Sequence, residues 1–247
     1  MAHPRRAIVY VAWGEAHIRE AVASARTAGI MKTDRVLVTD TASRRHVPRD
    51  APFDRTIEHT FRLPGQLAKT EFVALLPREY ESFLLLDSDT SILMDVSLGF
   101  DKAETYGIAA AQAAAYSLEH FWGFAREMAA TGVPQRDILQ YNTGVIFFTR
   151  APGAWAVMCK WHDLCRRAGP EATAWGDQPY FTLAIEQLGF NPYTLSTAYN
   201  YRNFGELANG RIRIWHSHMP PPPDVNEIGG TWPFRRFFNG QRMPERS

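Results

Sequence analysis

Phe83-Leu84-Leu85-Leu86-Asp87-Ser88-Asp89-Thr90-Ser91 runs a short apolar strand straight into two carboxylates one residue apart. In a strand, positions i and i+2 face the same side, so Asp87 and Asp89 are set to converge on one point just past the strand's carboxyl end. Open α/β sheets keep their ligands there. The pair suits a divalent cation, because Mg²⁺ and Mn²⁺ take carboxylate oxygens and complete their shell with water and substrate phosphates. A structural role is also open to the bare tripeptide, since Asp and Ser end strands through Asx-turns and helix caps.

Upstream, 7–11 is apolar and β-branched, and 17–28 has helical spacing (Ile18, Ala21, Val22, Ala25) with Gly29 as its stop. The stretch 35–39 repeats the strand signal, the polar and proline-punctuated 41–54 reads as a loop, and 67–76 reads as a helix closed by Pro77. The strand 82–86 then carries the aspartates. Strand and helix alternate, which predicts an α/β fold with a mostly parallel mixed sheet flanked by helices. Downstream, 107–112 and 144–148 read as strands, 119–131, 155–167 and 178–188 as helices, and 212–215 as a last short strand. After Pro223 the pattern stops, so the expected organisation is one domain over 1–223 and a tail over 224–247. Two further segments bring polar groups to element ends: Asn142-Thr143-Gly144 leads into a strand, and Asp177-Gln178 opens a helix. Alone, Asn142 is a turn former and Asp177 a helix N-cap.

The chain has 247 residues, 45% of them hydrophobic, enough for one large domain with a substantial core. Lys and Arg number 27 against 26 Asp and Glu, so net charge gives no argument for a nucleic-acid partner. Cys159 and Cys165 fall in a predicted helix, roughly 9 Å apart along its axis at 1.5 Å per residue, too far for a disulfide. No apolar run approaches the ~20 residues that cross a bilayer, and no signal-peptide core precedes the first strand. A reducing, cytoplasmic location is the expectation.

Lys69, Leu75-Leu76-Pro77, the Asp-Ser-Asp strand with its continuation through Ile92 to Leu98, Asn142-Thr143-Gly144, Asp177-Gln178, the segment 195–200 and Ile214-Trp215-His216 follow one another in an order that resembles the GT-A-fold nucleotide-sugar glycosyltransferases, closest to glycosyltransferase family 8. The resemblance runs from about residue 7 to about residue 220, and rests on the shared order of short motifs. It implies a GT-A-like fold and a metal-dependent transferase that moves a hexose from a nucleotide-diphosphate sugar, a UDP-sugar by preference, to an acceptor with retention of configuration. It implies that Asp87, Asp89 and His216 bind Mn²⁺ (or Mg²⁺), which grips the diphosphate. Val11 and Ala12 would border the base, Lys69 and Ser88 would reach the donor, and Asn142, Thr143 and Gly144 would line the sugar. Asp177 and Gln178 would stand at its reacting face. His218 is the rival ligand to His216, which follows the apolar strand directly. The family's usual glycine and Lys-Pro-Trp after that histidine are missing: Met219 and four prolines follow, and no lysine occurs after Lys160. Arg235 or Arg236 would be the substitute cation.

A haloacid-dehalogenase-type phosphohydrolase also places Asp-X-Asp after an apolar strand, with the first carboxylate, here Asp87, as nucleophile. Against it, two strands precede the pair, and Phe181 stands where a second aspartate is wanted after Asp177. A sugar nucleotidyltransferase would need a glycine-rich, arginine-containing loop where Trp13-Gly14-Glu15 stands. A non-catalytic carbohydrate- or nucleotide-sugar-binding protein would use the aromatics for stacking and leave the Asp-X-Asp unexplained. In the tail, Trp232, Phe234, Phe237 and Phe238 surround Arg235-Arg236; docking onto the domain and peripheral contact with an anionic membrane are the two expectations. The acceptor, whether glycan, lipid-linked saccharide, protein or small molecule, is not written in these motifs; the loops within 113–140 are where its surface is expected.

Overall fold

Strands buried on both faces need unbroken apolar runs, and the centre of this fold has them. In the computed structural model, which describes residues 5–120, 124–134, 136–169, 176–227, 234–235, 237–239 and 241–243, the chain opens as β1 (Arg6–Val11), α1 (Glu15–Thr27), β2 (Asp34–Thr39), α2 (Thr41–Arg44) and β3 (Arg55–Glu58). A 3-10 segment (Gly65–Leu75) leads to β4 (Ser82–Leu86), β5 (Thr90–Ile92), α3 (Ser97–Tyr106), β6 (Ile108–Ser117), α4 (Ala125–Ala130) and β7 (Leu139–Thr149). Then come α5 (Pro152–Arg167), α6 (Gln178–Gln187), β8 (Tyr193–Leu195), β9 (Tyr201–Arg202), β10 (Ala208–Asn209) and β11 (Ile214–His216). Three short strands follow, β12 (Phe234–Arg235), β13 (Phe237–Phe238) and β14 (Gln241–Arg242).

The main sheet has seven strands in the order β3-β2-β1-β4-β7-β6-β8. β7 runs antiparallel to both neighbours and every other pairing is parallel, so the anticipated mostly parallel mixed sheet is what forms. Alternation sends Ala7, Val9, Val11, Phe83 and Leu85 into a core beneath α5 and α6. Ile8, Tyr10, Leu84 and Leu86 enter a second core beneath α1 and α3. Gly99 lets α3 sit close on the sheet, because a Cβ there would run into the Phe147 ring.

Several elements differ from the sequence expectation, each for a local reason. Within the anticipated loop 41–54, Asp40 accepts a hydrogen bond from the Ser43 N–H at 2.6 Å and caps the one-turn α2, too short to leave a periodicity. The anticipated helix over 67–76 is 3-10: it is buried on all sides from Leu67 to Val73, so packing overrides the pattern. The helix expected over 119–131 is a 3-10 turn (Leu118–His120) followed by α4, and 121–123 lie outside the described residues. Asn142-Thr143-Gly144 lies inside β7 and does not precede it, since β7 starts at Leu139. Strands β3, β5 and β8 and helix α3 carry little periodic signal. The two cysteines are both free.

A second, three-stranded sheet, β5-β11-β9, stands at the carboxyl ends of the parallel strands. Behind it Tyr201, Ile212, Trp215, Val225 and Phe237 form a third buried cluster, with Phe237 ring centroids 6.1 Å from Tyr201 and 5.6 Å from Trp215. Regular structure thus continues past Pro223, in two-residue strands. Trp232 and Arg236 lie outside the described residues, as do the side chains of Phe234 and Arg235; Phe237 is buried and Phe238 exposed.

Candidate active site

β4 stops at Leu86, but its ladder with β7 continues one step further: the Asp87 N–H donates to the Gly144 carbonyl at 2.9 Å. That bond fixes where the Asp87 carboxylate emerges. The chain then turns, with the Thr90 hydroxyl donating to the Asp87 carbonyl at 2.8 Å, and enters β5. β5 pairs antiparallel with β11, setting Thr90 opposite His216, and the Ser217 N–H donates to the Asp89 carbonyl at 2.8 Å. Two backbone ladders therefore bring the imidazole to the carboxylates.

His216 Nε2 lies 3.3 Å from Asp89 Oδ1 and 3.7 Å from Asp87 Oδ2. Donor atoms of Asp87, Asp89 and His216 all fall within 4.8 Å of one another. His218 approaches Asp89 at 3.7 Å, but its side chain is 69% exposed against 12% for His216, and it pairs with Glu20 at 2.7 Å. Burial pushes the Asp89 carboxyl up, yet hydrogen bonding and charge from His216 and then His218 outweigh it and hold the pKa at about 2. Oxygen donors with one imidazole fit Mn²⁺ or a similar ion. Gly144 completes the cradle: a Cβ there would collide with the His216 ring and the Asp87 carboxylate.

Lys69, nearly buried on the 3-10 segment, lies 2.6 Å from Asp87 Oδ1, 3.6 Å from Asp177 Oδ2, and donates to the Thr143 carbonyl at 3.0 Å. Burial works to lower its pKa, but the charges of Asp177 and Asp87 prevail and the ammonium is held above its ordinary value. Asp177 occupies the N-cap position of α6 without making a side-chain cap hydrogen bond. Its Oδ2 has no hydrogen-bond partner among the described residues, and burial pushes this carboxyl upward more than Lys69 draws it down. An uncapping, under-satisfied buried carboxylate aimed at a cavity is uncommon in a purely structural role.

A chain of amides links the two sides. Asn142 Nδ2 donates to Gln178 Oε1 at 2.8 Å, its Oδ1 accepts from the Gly144 N–H at 2.9 Å and from Asn200 Nδ2 at 2.6 Å, and Asn200 Oδ1 lies 2.7 Å from His216 Nδ1. With Nδ1 as donor to Asn200, Nε2 keeps a lone pair toward the carboxylates, which is how partners behind a ligand orient it.

Val11, Ala12, Lys69, Asp87, Ser88, Asp89, Asn142, Thr143, Gly144, Asp177, Gln178 and His216 all line one cavity of about 690 Å³. That volume lies in the range of small-molecule sites. The sequence left out Asn200, which braces His216, and Arg202 and Trp13, which line the same cavity; Trp13 is braced by the Phe61 ring at 4.9 Å. Asn200 sat in the motif segment 195–200 without a role, and its burial was the missing signal.

This architecture, a mixed sheet with an Asp-X-Asp turn at the carboxyl end of a central strand, is the GT-A-like fold of nucleotide-sugar glycosyltransferases. Mouse xyloside xylosyltransferase 1, in its apo form, shares it with a TM-score of 0.53 at 16% identity, over 86% of this chain and 97% of that one. The apo bifunctional glycosyltransferase WbbM gives 0.58 at 11% identity over 91% of this chain, which spans only 48% of that protein. The galactosyltransferase LgtC, in complex with donor and acceptor sugar analogues, gives 0.54 at 14% identity over 90% of each chain. By sequence, no family model and no curated protein matches. Among the described residues no helix is long and apolar enough to cross a membrane.

Proposed function

We propose that this protein is a metal-dependent glycosyltransferase that moves a hexose from a nucleotide-diphosphate sugar, a uridine diphosphate sugar by preference, to an acceptor, with retention at the anomeric carbon. The observation that carries it is the convergence of Asp87, Asp89 and His216 in the cavity whose other wall is Asn142, Asp177 and Gln178. The fold shared with glycosyltransferases supports the same reading.

Asp87, Asp89 and His216 would hold Mn²⁺ or Mg²⁺, and the ion would offset the negative charge that grows on the diphosphate as the sugar bond breaks. Lys69 holds Asp87 by one oxygen, which leaves the other turned toward His216. Asn200 fixes the imidazole in turn. Asn142, Thr143, Gly144 and Gln178 offer amide and backbone groups to sugar hydroxyls, and Val11, Ala12 and Ser88 border the nucleotide. Asp177, buried beside Lys69, is the carboxylate nearest in character to a group that meets the reacting face. The cytoplasmic location and a membrane contact through the tail belong to this proposal as well, the latter tested by co-sedimentation with anionic vesicles before and after deletion of 231–247.

The deciding experiment is a thermal-shift panel of nucleotide sugars with Mn²⁺ and with EDTA, because a ligand that binds only the folded state raises apparent stability. A Mn²⁺-dependent rise with one donor is expected, followed by transfer or slow donor hydrolysis. No shift with any donor, together with phosphate release from a simple phosphomonoester, would favour the phosphohydrolase instead. NMR of the product's anomeric proton tests retention.

A further inference from the structure

Among the described residues three carboxylates line the cavity, Asp87, Asp89 and Asp177, and Lys69 is shared between the first and the last. A divalent ion on Asp87 and Asp89 would cancel the negative charge that Lys69 leaves. Such a site presents no net fixed charge to an anionic ligand, and a diphosphate would enter it under-neutralised.

Among the described residues one further fixed cation lines the same cavity, Arg202. In the parallel register of β9 and β11, Arg202 is the direct partner of His216. Direct partners on neighbouring strands project from the same face of a sheet, so β9 sets the guanidinium beside the imidazole of the ion site. The guanidinium carbon lies 4.9 Å from the centroid of the exposed Phe204 ring, a contact that steadies the group without neutralising it. Glu206 takes the backbone N–H of Arg202 at 3.0 Å and its charge also acts on Arg202, but among the described residues no carboxylate closes an ion pair with the guanidinium.

We propose that Arg202 is a phosphate-binding residue of this site, contacting the nucleotide diphosphate next to the ion and held in place by Phe204. This inference rests on the nucleotide-sugar reading above. A planar guanidinium grips phosphate oxygens in pairs, which a lysine at the same position would not reproduce.

The test is isothermal titration calorimetry of the full chain with Mn²⁺, using nucleoside diphosphates of the common bases and the matching monophosphates. The wild-type protein is expected to prefer one diphosphate. Arg202→Ala and Arg202→Gln should weaken that diphosphate about ten-fold or more and the monophosphate less than about three-fold, with Arg202→Lys in between and Phe204→Ala showing a smaller loss of the same selectivity. Circular dichroism checks that each variant is folded. Unchanged diphosphate affinity in the Arg202→Gln variant, or equal weakening of monophosphate and diphosphate, overturns the Arg202 assignment and leaves the donor reading standing. A wild-type protein that binds no member of the panel overturns both.

Discussion

The carboxylate wall of the cavity and its imidazole wall are held by different structures. Asp87 extends β4, a five-residue strand paired with β1 and with the eleven-residue β7, buried on both faces. His216 and Arg202 end strands of three and two residues in a small sheet, backed by a cluster that includes Val225 and Phe237 from beyond the proline run. The first wall is rigid because packed layers cover it on both sides, whereas the second depends on two short ladders and a handful of aromatic rings. Ion affinity is therefore expected to be more easily lost from the imidazole side without loss of the fold.

The largest effect is expected at the carboxylates. Asp87→Ala or Asp89→Ala should each reduce Mn²⁺-dependent donor turnover about 100-fold or more while the melting curve keeps one cooperative transition. Turnover that survives both substitutions and EDTA would remove the ion site altogether. Gly144→Ala strikes where the walls touch, since its Cβ would press on His216 and Asp87. A Mn²⁺ affinity lowered about ten-fold or more is expected, with destabilisation of about 1–3 kcal/mol from the overpacking; titration calorimetry and thermal melts read the two effects separately.

Asn200→Ala is gentler, because it removes the partner behind the imidazole and one bond to Asn142 without touching a ligand atom. A loss of about 10-fold in ion affinity is expected, at the low end for such partners, with the main sheet's hydrogen-exchange protection unchanged. An unchanged affinity would mean that β11 alone orients His216. The smallest effect concerns the carboxylate side's own support. Glu71 accepts the N–H groups of Arg62 and Leu63 at 2.8 and 2.7 Å and pairs with His59 at 2.7 Å, on the segment that carries Lys69. Burial pushes its carboxyl up, but the Leu63 N–H, His59 and the Arg62 N–H outweigh that and the net shift is downward from 4.5. A depressed folded-state pKa stabilises the protein above the unfolded value, and the benefit drains away as pH falls through the folded value. Melting temperature should therefore drop more steeply below about pH 4.5 for the wild type than for Glu71→Gln; parallel curves would remove Glu71 from the account.

The central sheet was legible because burial on both faces writes itself as runs such as 7–11 and 82–86, and the aspartates because a strand end places i and i+2 together. Most elements of two to four residues were not, β11 being the exception with its anticipated strand over 212–215, since β5, β8 and β9 are too short to show a period and owe their pairing to distant partners. The site followed the same division. Asp87 and Asp89 stand in one contiguous motif, and His216 could be named from a resemblance, but Arg202 reaches His216 through strand register and Asn200 through a side-chain contact, neither of which spacing shows. Asp177 looked like a helix cap, and its missing cap bond and its approach to Lys69 became visible only in three dimensions.

The layered sheet and the acidic turn at its edge are written in the chain, because alternation and apolar runs are local consequences of burial. Which charges share Lys69, which amide steadies the imidazole and which guanidinium lies beside it depend on how the folded chain brings distant segments together. Those pairings join residues far apart in the chain, and distance in space, which sets every electrostatic interaction, is not encoded by spacing along it.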